Sequence, residues 1–218
     1  MKNLLYKELK TFVSPLNYLF FAFTLMAFIP GGYPLLVSTF FIMMGVFVSF
    51  QIAREHHDTL FTVLLPVKKT DAVKARYLTV TVIQLISLLL LGIFCAIRLT
   101  LLSDLPAYAS PALMPANFTF LGFAFISFGL FNAIFLCGFY KTAYYYAKPF
   151  IIYIIVFFTV VIIEETLGFM PFTAFLKAQS GNDLLLQIPV LACGIVFYAL
   201  ATMLALKSSE KKFSSLDI

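Results

Sequence analysis

The chain has 218 residues, 62% of them hydrophobic and only 11% charged, with a mean hydropathy of +1.00 and a formal net charge of +5. A soluble domain carries about 25% charged residues, so a water-soluble enzyme or carrier is excluded and an integral membrane protein is expected. The positive charge does not point to nucleic acid, because the basic residues sit in short clusters between apolar runs, the pattern that sets membrane orientation.

The first 13 residues, MKNLLYKELKTFV, are short, cationic and amphipathic. Leu5, Leu9 and Phe12 make a stripe at helical spacing with Leu4 and Val13 beside it, and Lys2, Lys7, Glu8 and Lys10 fall on other faces. This predicts an interfacial helix over 1–13. No small-x-small cleavage site follows the first apolar run, so the segment is expected to be retained.

Six apolar runs follow, near 16–31, 33–53, 77–102, 117–140, 149–165 and 184–206. Each approaches the roughly 20 residues that cross a hydrocarbon core about 30 Å thick. None alternates with the period of two that barrel strands need. In hydrocarbon every backbone amide must be paired within its own segment, so the runs should be helices. The expected fold class is an all-α membrane protein, one domain over 1–218 with six transmembrane helices. With the N-terminus cytoplasmic, 13 of the 15 basic residues lie inside and only Arg98 and Lys177 outside, a strong positive-inside bias. Both termini are then cytoplasmic, and 207–218 reads as a short polar tail.

There are 27 Phe and no Trp, so any aromatic belt must be Tyr. Cys95, Cys137 and Cys193 lie inside apolar runs and are expected to be buried as small hydrophobes. Pro30, Gly31, Gly32 and Pro34 predict a tight reversal between the first two spans. The last outer loop contains LGFMPFTAFL, apolar enough to dip back into the outer leaflet. The fifth run covers only about 21 Å between Pro149 and Glu164. Either it extends inward through TAYYYA, or the glutamates sit below the outer surface.

Few residues invite chemistry. Glu55, His56, His57 and Asp58 are consecutive, so on a helix they diverge by about 100° each and cannot converge on one ion. A solvated turn fits better than a metal site. Glu164 and Glu165 lack the following Arg and later His of an intramembrane protease. They are expected to form an outer-rim acidic patch paired with Arg98 or Lys177. Gln84 and Asn132 are expected to hydrogen-bond between helices, worth about 1 kcal/mol, or more weakly to line a translocation path. The Asn117–Thr119 glycosylation-type triplet abuts an apolar run and carries no weight. No G-x-x-x-x-G-K-[ST] phosphate loop is present, so no cofactor is expected on this chain.

Residues 54–76, REHHDTLFTVLLPVKKTDAVKAR, hold eight of the 25 charged residues and both histidines. Asp58 to Leu65 predicts a short helix with Leu60, Phe61, Leu64 and Leu65 on one broad side. Pro66 ends it, Lys68 and Lys69 turn the chain, and Thr70 or Asp71 caps the helix of the third span. An ordinary topogenic loop needs a few basic residues but no apolar helix face.

The pattern Glu55 and Asp58, Leu64-Leu65-Pro66-Val67, Lys68-Lys69, then Arg76-Tyr77-Leu78 resembles the membrane subunit of type 2 ABC exporters. Within that family it is similar to the small six-span permeases of the phenol-soluble modulin and antimicrobial-peptide exporter group. The resemblance implies that 54–76 carries a cytoplasmic coupling helix between spans 2 and 3. Leu60, Phe61, Leu64, Leu65 and Pro66 would dock on a separate ATPase, with Glu55, Asp58, Lys68 and Lys69 as a polar rim. It further implies a second permease copy, identical or related, and ATP and Mg held by the partner ATPase. The expected function is passage of an amphipathic or hydrophobic substrate, such as a peptide, across the cytoplasmic membrane. Two other readings remain open at this point: a membrane scaffold or sensor that binds a cytoplasmic partner, and a gradient-driven transporter. The last would need ionisable residues at mid-membrane, and none stands clearly central.

Overall fold

The computed structural model describes residues 2–30, 32–103, 105–109 and 111–216. Met1 of the expected interfacial helix, Gly31 of the first reversal, Asp104 and Ser110 of the second outer loop, and Asp217 and Ile218 of the tail lie outside them.

The apolar runs fold into helices, joined by turns at Pro, Gly and polar clusters. They are α1 (Asn3–Phe12), α2 (Leu16–Phe28), α3 (Val37–Glu55), α5 (Lys69–Leu102), α6 (Phe118–Phe139), α7 (Ala147–Phe169) and α8 (Asn182–Ser214). The short α4 (Asp58–Leu64) lies between α3 and α5. Five helices, α3 and α5 to α8, are long and apolar enough to cross a membrane. A sixth crossing exists only if α1 and α2 count as one element, and these are bent by 77° at Val13–Pro15. The expected first span is therefore the short one. α2 has five α-helical residues followed by eight in 3₁₀ form. At about 2.0 Å rise per 3₁₀ residue it reaches about 24 Å, still short of a full hydrocarbon core.

The bend is pinned from α3. The Asn17 amide donates to Ser49 Oγ at 2.6 Å, and the Ser14 N–H donates to the same oxygen at 3.2 Å. α6 is the central helix, packed against α3, α5, α7 and α8. Its crossing with α8 is closest at Gly122 and Gly194, where a Cβ on Gly194 would stand 2.3 Å from the Gly122 carbonyl oxygen. Much of the Phe content fills this interior. Phe47 stacks on Phe150 at 3.7 Å, and Phe50 meets Phe12, Phe135 and Phe139 edge-on.

Several expectations need correction. α1 buries Leu4, Glu8 and Phe12 and leaves Leu9 exposed, so the inward stripe is one residue away from the Leu5–Leu9 line. α7 starts at Ala147 and runs unbroken to Phe169, so the span lengthens outward and Glu164 and Glu165 lie within it. TAYYYA is instead turn down to Tyr146. Residues 207–214 are no free tail, because α8 continues through Ser214 with Ser209 and Phe213 buried. Neither Thr70 nor Asp71 caps α5, which begins at Lys69 with Lys68 at the cap position. Cys95 is buried, but Cys193 is exposed on α8 and Cys137 is half-buried.

Candidate functional site

α4 has an inverted amphipathic pattern. It is seven residues long and enters through His57, which adopts a left-handed φ of 53°. Asp58 and Thr62, one turn apart, face the protein. Leu60, Phe61 and Leu64, on the opposite side, are 49%, 59% and 80% exposed. Pro66 and the extended Leu65 end the helix, as the missing proline N–H and its steric demand on the preceding residue require. An ordinary surface helix buries its apolar face and hydrates its polar one. Here the polar side is held inside and the apolar side is left open.

An ion cluster explains why the polar side turns inward. Arg76, buried near the start of α5, donates through Nε and Nη2 to the Glu8 carboxylate and through Nη2 to Asp58 Oδ2. Lys7 pairs with Asp58 and, at 3.1 Å, with Glu8 Oε1, and its Nζ donates to Thr62 Oγ1 at 2.7 Å. Two carboxylates and two cations close a neutral set, so no net charge is buried. The Arg76 guanidinium also stacks on Phe12, 4.0 Å from the ring centroid. Burial pushes the Asp58 carboxyl up, but Arg76 and Lys7 outweigh it and hold the group below its usual range. A void of about 20 Å³ lined by Glu8, Thr62, Arg76, Tyr140 and Phe213 has room for one water. The cluster therefore ties α1, α4 and α5 together. The C-terminal end of α8 joins them through Tyr77 Oη and Ser209 Oγ at 2.7 Å, and through Lys69, which donates to the Leu216 carbonyl at 2.6 Å.

A second polar set lies inside the spans. Gln84 on α5 and Asn132 on α6 exchange hydrogen bonds at 2.8 and 2.9 Å. Tyr198 Oη donates to Gln84 Oε1 at 2.9 Å, and Asn132 donates to Thr202 Oγ1 at 2.8 Å. Three spans are thus joined at one level, where α6 widens into a π turn from Asn132 to Leu136.

The expected pairing of Arg98 with Glu164 or Glu165 is not formed. Arg98 is fully buried and donates through Nη1 to the carbonyls of Ala27 and Ile29 at 2.9 and 3.2 Å, which caps the C-terminal end of α2. α5 packs on α2 and α8, whereas Glu165 on α7 accepts from the Met114 N–H at 2.9 Å. Lys177 donates to the Ala112 carbonyl. Within LGFMPFTAFL, Leu167–Phe169 end α7 and a 3₁₀ turn, Pro171–Lys177, follows, pinned by Asn117 donating to Leu176 O and by Gln187 donating to Phe175 O. Asn117 also caps α6 by accepting from the Phe120 N–H.

A model of the ABC-2 family transporter protein matches residues 3–210. The chain belongs to the ABC-2 transporter family. No curated protein and no solved structure matches it. Membership makes it a multi-pass membrane subunit of an ABC transporter and implies an ABC ATPase as partner. In this ABC-2 subunit the residues singled out from sequence divide in two. Glu55, Leu60, Phe61, Leu64, Pro66 and Lys68 are exposed at the Lys-rich end, with Leu65 and Lys69 half-buried beside them. Asp58 is not part of that open rim, because Arg76 and Lys7 take its carboxylate. Sequence reading passed over Lys7, Glu8 and the ionic role of Arg76. The available signal was that Glu8 is the only acid in the first 13 residues and lies four residues from both Leu4 and Phe12.

Proposed function

We propose that this ABC-2 subunit is the membrane-spanning half of an ATP-driven exporter, and that α4 is the coupling helix through which it engages a separate ATPase. The observation that carries the reading is the inverted helix. An apolar face of Leu60, Phe61 and Leu64 stands open while its polar side is anchored to α1 and α5 by four charges. A face so held is suited to fill a hydrophobic groove on a partner, with Glu55 and Lys68 at the polar rim.

In this reading the Lys-rich end, both termini included, faces the cytoplasm of the cytoplasmic membrane. ATP and Mg are held by the ATPase, and this chain contributes no catalytic group. Two permease copies complete the transporter. Closure of the ATPase pair pulls on α4, and the ion cluster passes that movement to α1 and α5 as a rigid body. The substrate is an amphipathic or hydrophobic molecule, a peptide by the resemblance to the modulin and antimicrobial-peptide exporters. The test is reconstitution with the partner ATPase in lipid vesicles. We expect an amphipathic helical peptide to stimulate ATP hydrolysis with the native permease and not with Phe61→Ala. Equal stimulation by both would place the docking face elsewhere, and no stimulation by either would remove the peptide substrate.

A further inference from the structure

A groove of about 590 Å³ opens between α6 and α7 at the Lys-rich end, within the range of ligand pockets, about 300–1,000 Å³. Its walls are apolar, from Ile134 on α6 and Pro149 and Ile152 on α7. Gly138 and Pro149 close one side: a Cβ on Gly138 would stand 2.6 Å from Pro149 Cβ, so the helices touch there and part beyond it. The mouth is polar and cationic. Lys141, from the end of α6, and Lys148, from the start of α7, both line it, and both are exposed. No acidic side chain lines the groove, and among the described residues neither lysine forms an ion pair.

The connecting loop is held in place rather than loose. Ala143 has a φ of 56°, in the left-handed region that a non-glycine rarely adopts. Arg54 on α3 fixes the residues after it by standing 4.6 Å from the Tyr144 ring and 5.0 Å from the Tyr146 ring. Tyrosines and lysines at the ends of two apolar spans are the composition of a membrane–water interface. The groove therefore lies where lipid headgroups lie, and Ile152 leads from it onto the exposed face of α7.

We propose that this groove binds an anionic membrane phospholipid, with its phosphate between Lys141 and Lys148 and an acyl chain along Ile134 and Ile152. The charge argument selects the anionic headgroup: two unpaired cations face no acid. The apolar wall selects a molecule with a chain over a free anion. No α4 residue lines the groove, so the proposal is tested separately from the transport reading.

The test is native mass spectrometry of the purified chain in detergent, titrated with dioleoyl phosphatidylglycerol or dioleoyl phosphatidylcholine. Two lysines at about fivefold each predict that the first phosphatidylglycerol is retained about 25-fold over phosphatidylcholine. Lys141→Gln with Lys148→Gln should remove that preference. Lys207→Gln with Lys211→Gln, exposed at the same end, should keep it. Ala147→Trp fills the groove from its rim and leaves both lysines, and it should abolish retention of the first lipid. Equal retention of the two lipids, or a preference that survives loss of Lys141 and Lys148, would overturn the proposal. So would displacement by glycerol 3-phosphate, which would make it a free-anion site, or a change of oligomeric state in Ala147→Trp, which would make it a contact between copies.

Discussion

Replacing Arg76 with Met is the sharpest probe of the ion cluster. Met keeps much of the aliphatic stem beside Phe12 and Phe50 but removes the guanidinium. Glu8, almost fully buried, is then left with Lys7 at 3.1 Å as its remaining ionic partner. Removing one member of a buried pair costs about 3–5 kcal/mol, because the other charge remains desolvated. Lys7 still serves both Glu8 and Asp58, which places the expected cost near the lower end, about 3 kcal/mol. At about 2–4 °C per kcal/mol for a chain of this size, the melting temperature should fall by about 6–12 °C. Adding Glu8→Gln removes the orphaned carboxylate, so the double variant should melt higher than Arg76→Met alone, with Lys7 and Asp58 left as a pair. Such non-additivity is the mark of residues in one network. The assay is thermal unfolding in detergent followed by far-ultraviolet circular dichroism, since the chain has no Trp. A shift under about 2 °C for Arg76→Met, or a double variant whose loss is the sum of the two single losses, would mean that Arg76 and Glu8 do not act as one buried network.

Other outcomes follow from the same contacts. The folded pKa of Asp58 lies below its unfolded one, so its contribution is complete above the unfolded value, about pH 4, and is lost as pH falls through the folded value. Melting temperature should therefore drop in acid below about pH 4, and Asp58→Asn should melt lower at neutral pH with a shallower acid slope. Identical slopes would dissociate Asp58 from the effect. Gly194→Ala drives a methyl into the Gly122 carbonyl. It should cost about 1–3 kcal/mol by forcing α6 and α8 apart, and an unchanged melt would mean that the crossing relaxes freely. Leu64→Asp, at a highly exposed position, should alter stability by no more than about 0.5 kcal/mol. A large loss of stability there would mean that the α4 face is part of the fold rather than an open surface.

Composition made the helical membrane class plain, since only paired backbone survives in hydrocarbon and the apolar runs are long. The α4 helix and its stop were equally legible, because Pro66 and the Leu60, Phe61 and Leu64 spacing are local signals. What was hidden depends on which helices meet. Glu8 reads as the polar face of an interfacial helix until Arg76, 68 positions away, is placed beside it. Arg98 has the reach to meet a glutamate, yet packing sets it over the open carbonyls of α2. The end of α8 has the composition of a tail, but Tyr77 and Tyr140 provide a surface for Ser209 and Phe213 and extend the helix. The 3₁₀ form of α2 has no evident sequence signal; it stretches the helix, and the first span is short because Leu16–Phe28 is all the helix that fits between the Val13–Pro15 bend and Pro30.

The open face of α4 is the proposed contact with an ABC ATPase. Its most direct measurement is purification of the detergent-solubilised chain from its native membrane, in parallel with Leu64→Asp. A phosphate-loop ATPase should accompany the native chain and be lost from a Leu64→Asp protein that melts at the native temperature. An ATPase retained equally by both would contradict the docking face, and none recovered with a folded native chain would contradict the coupling itself.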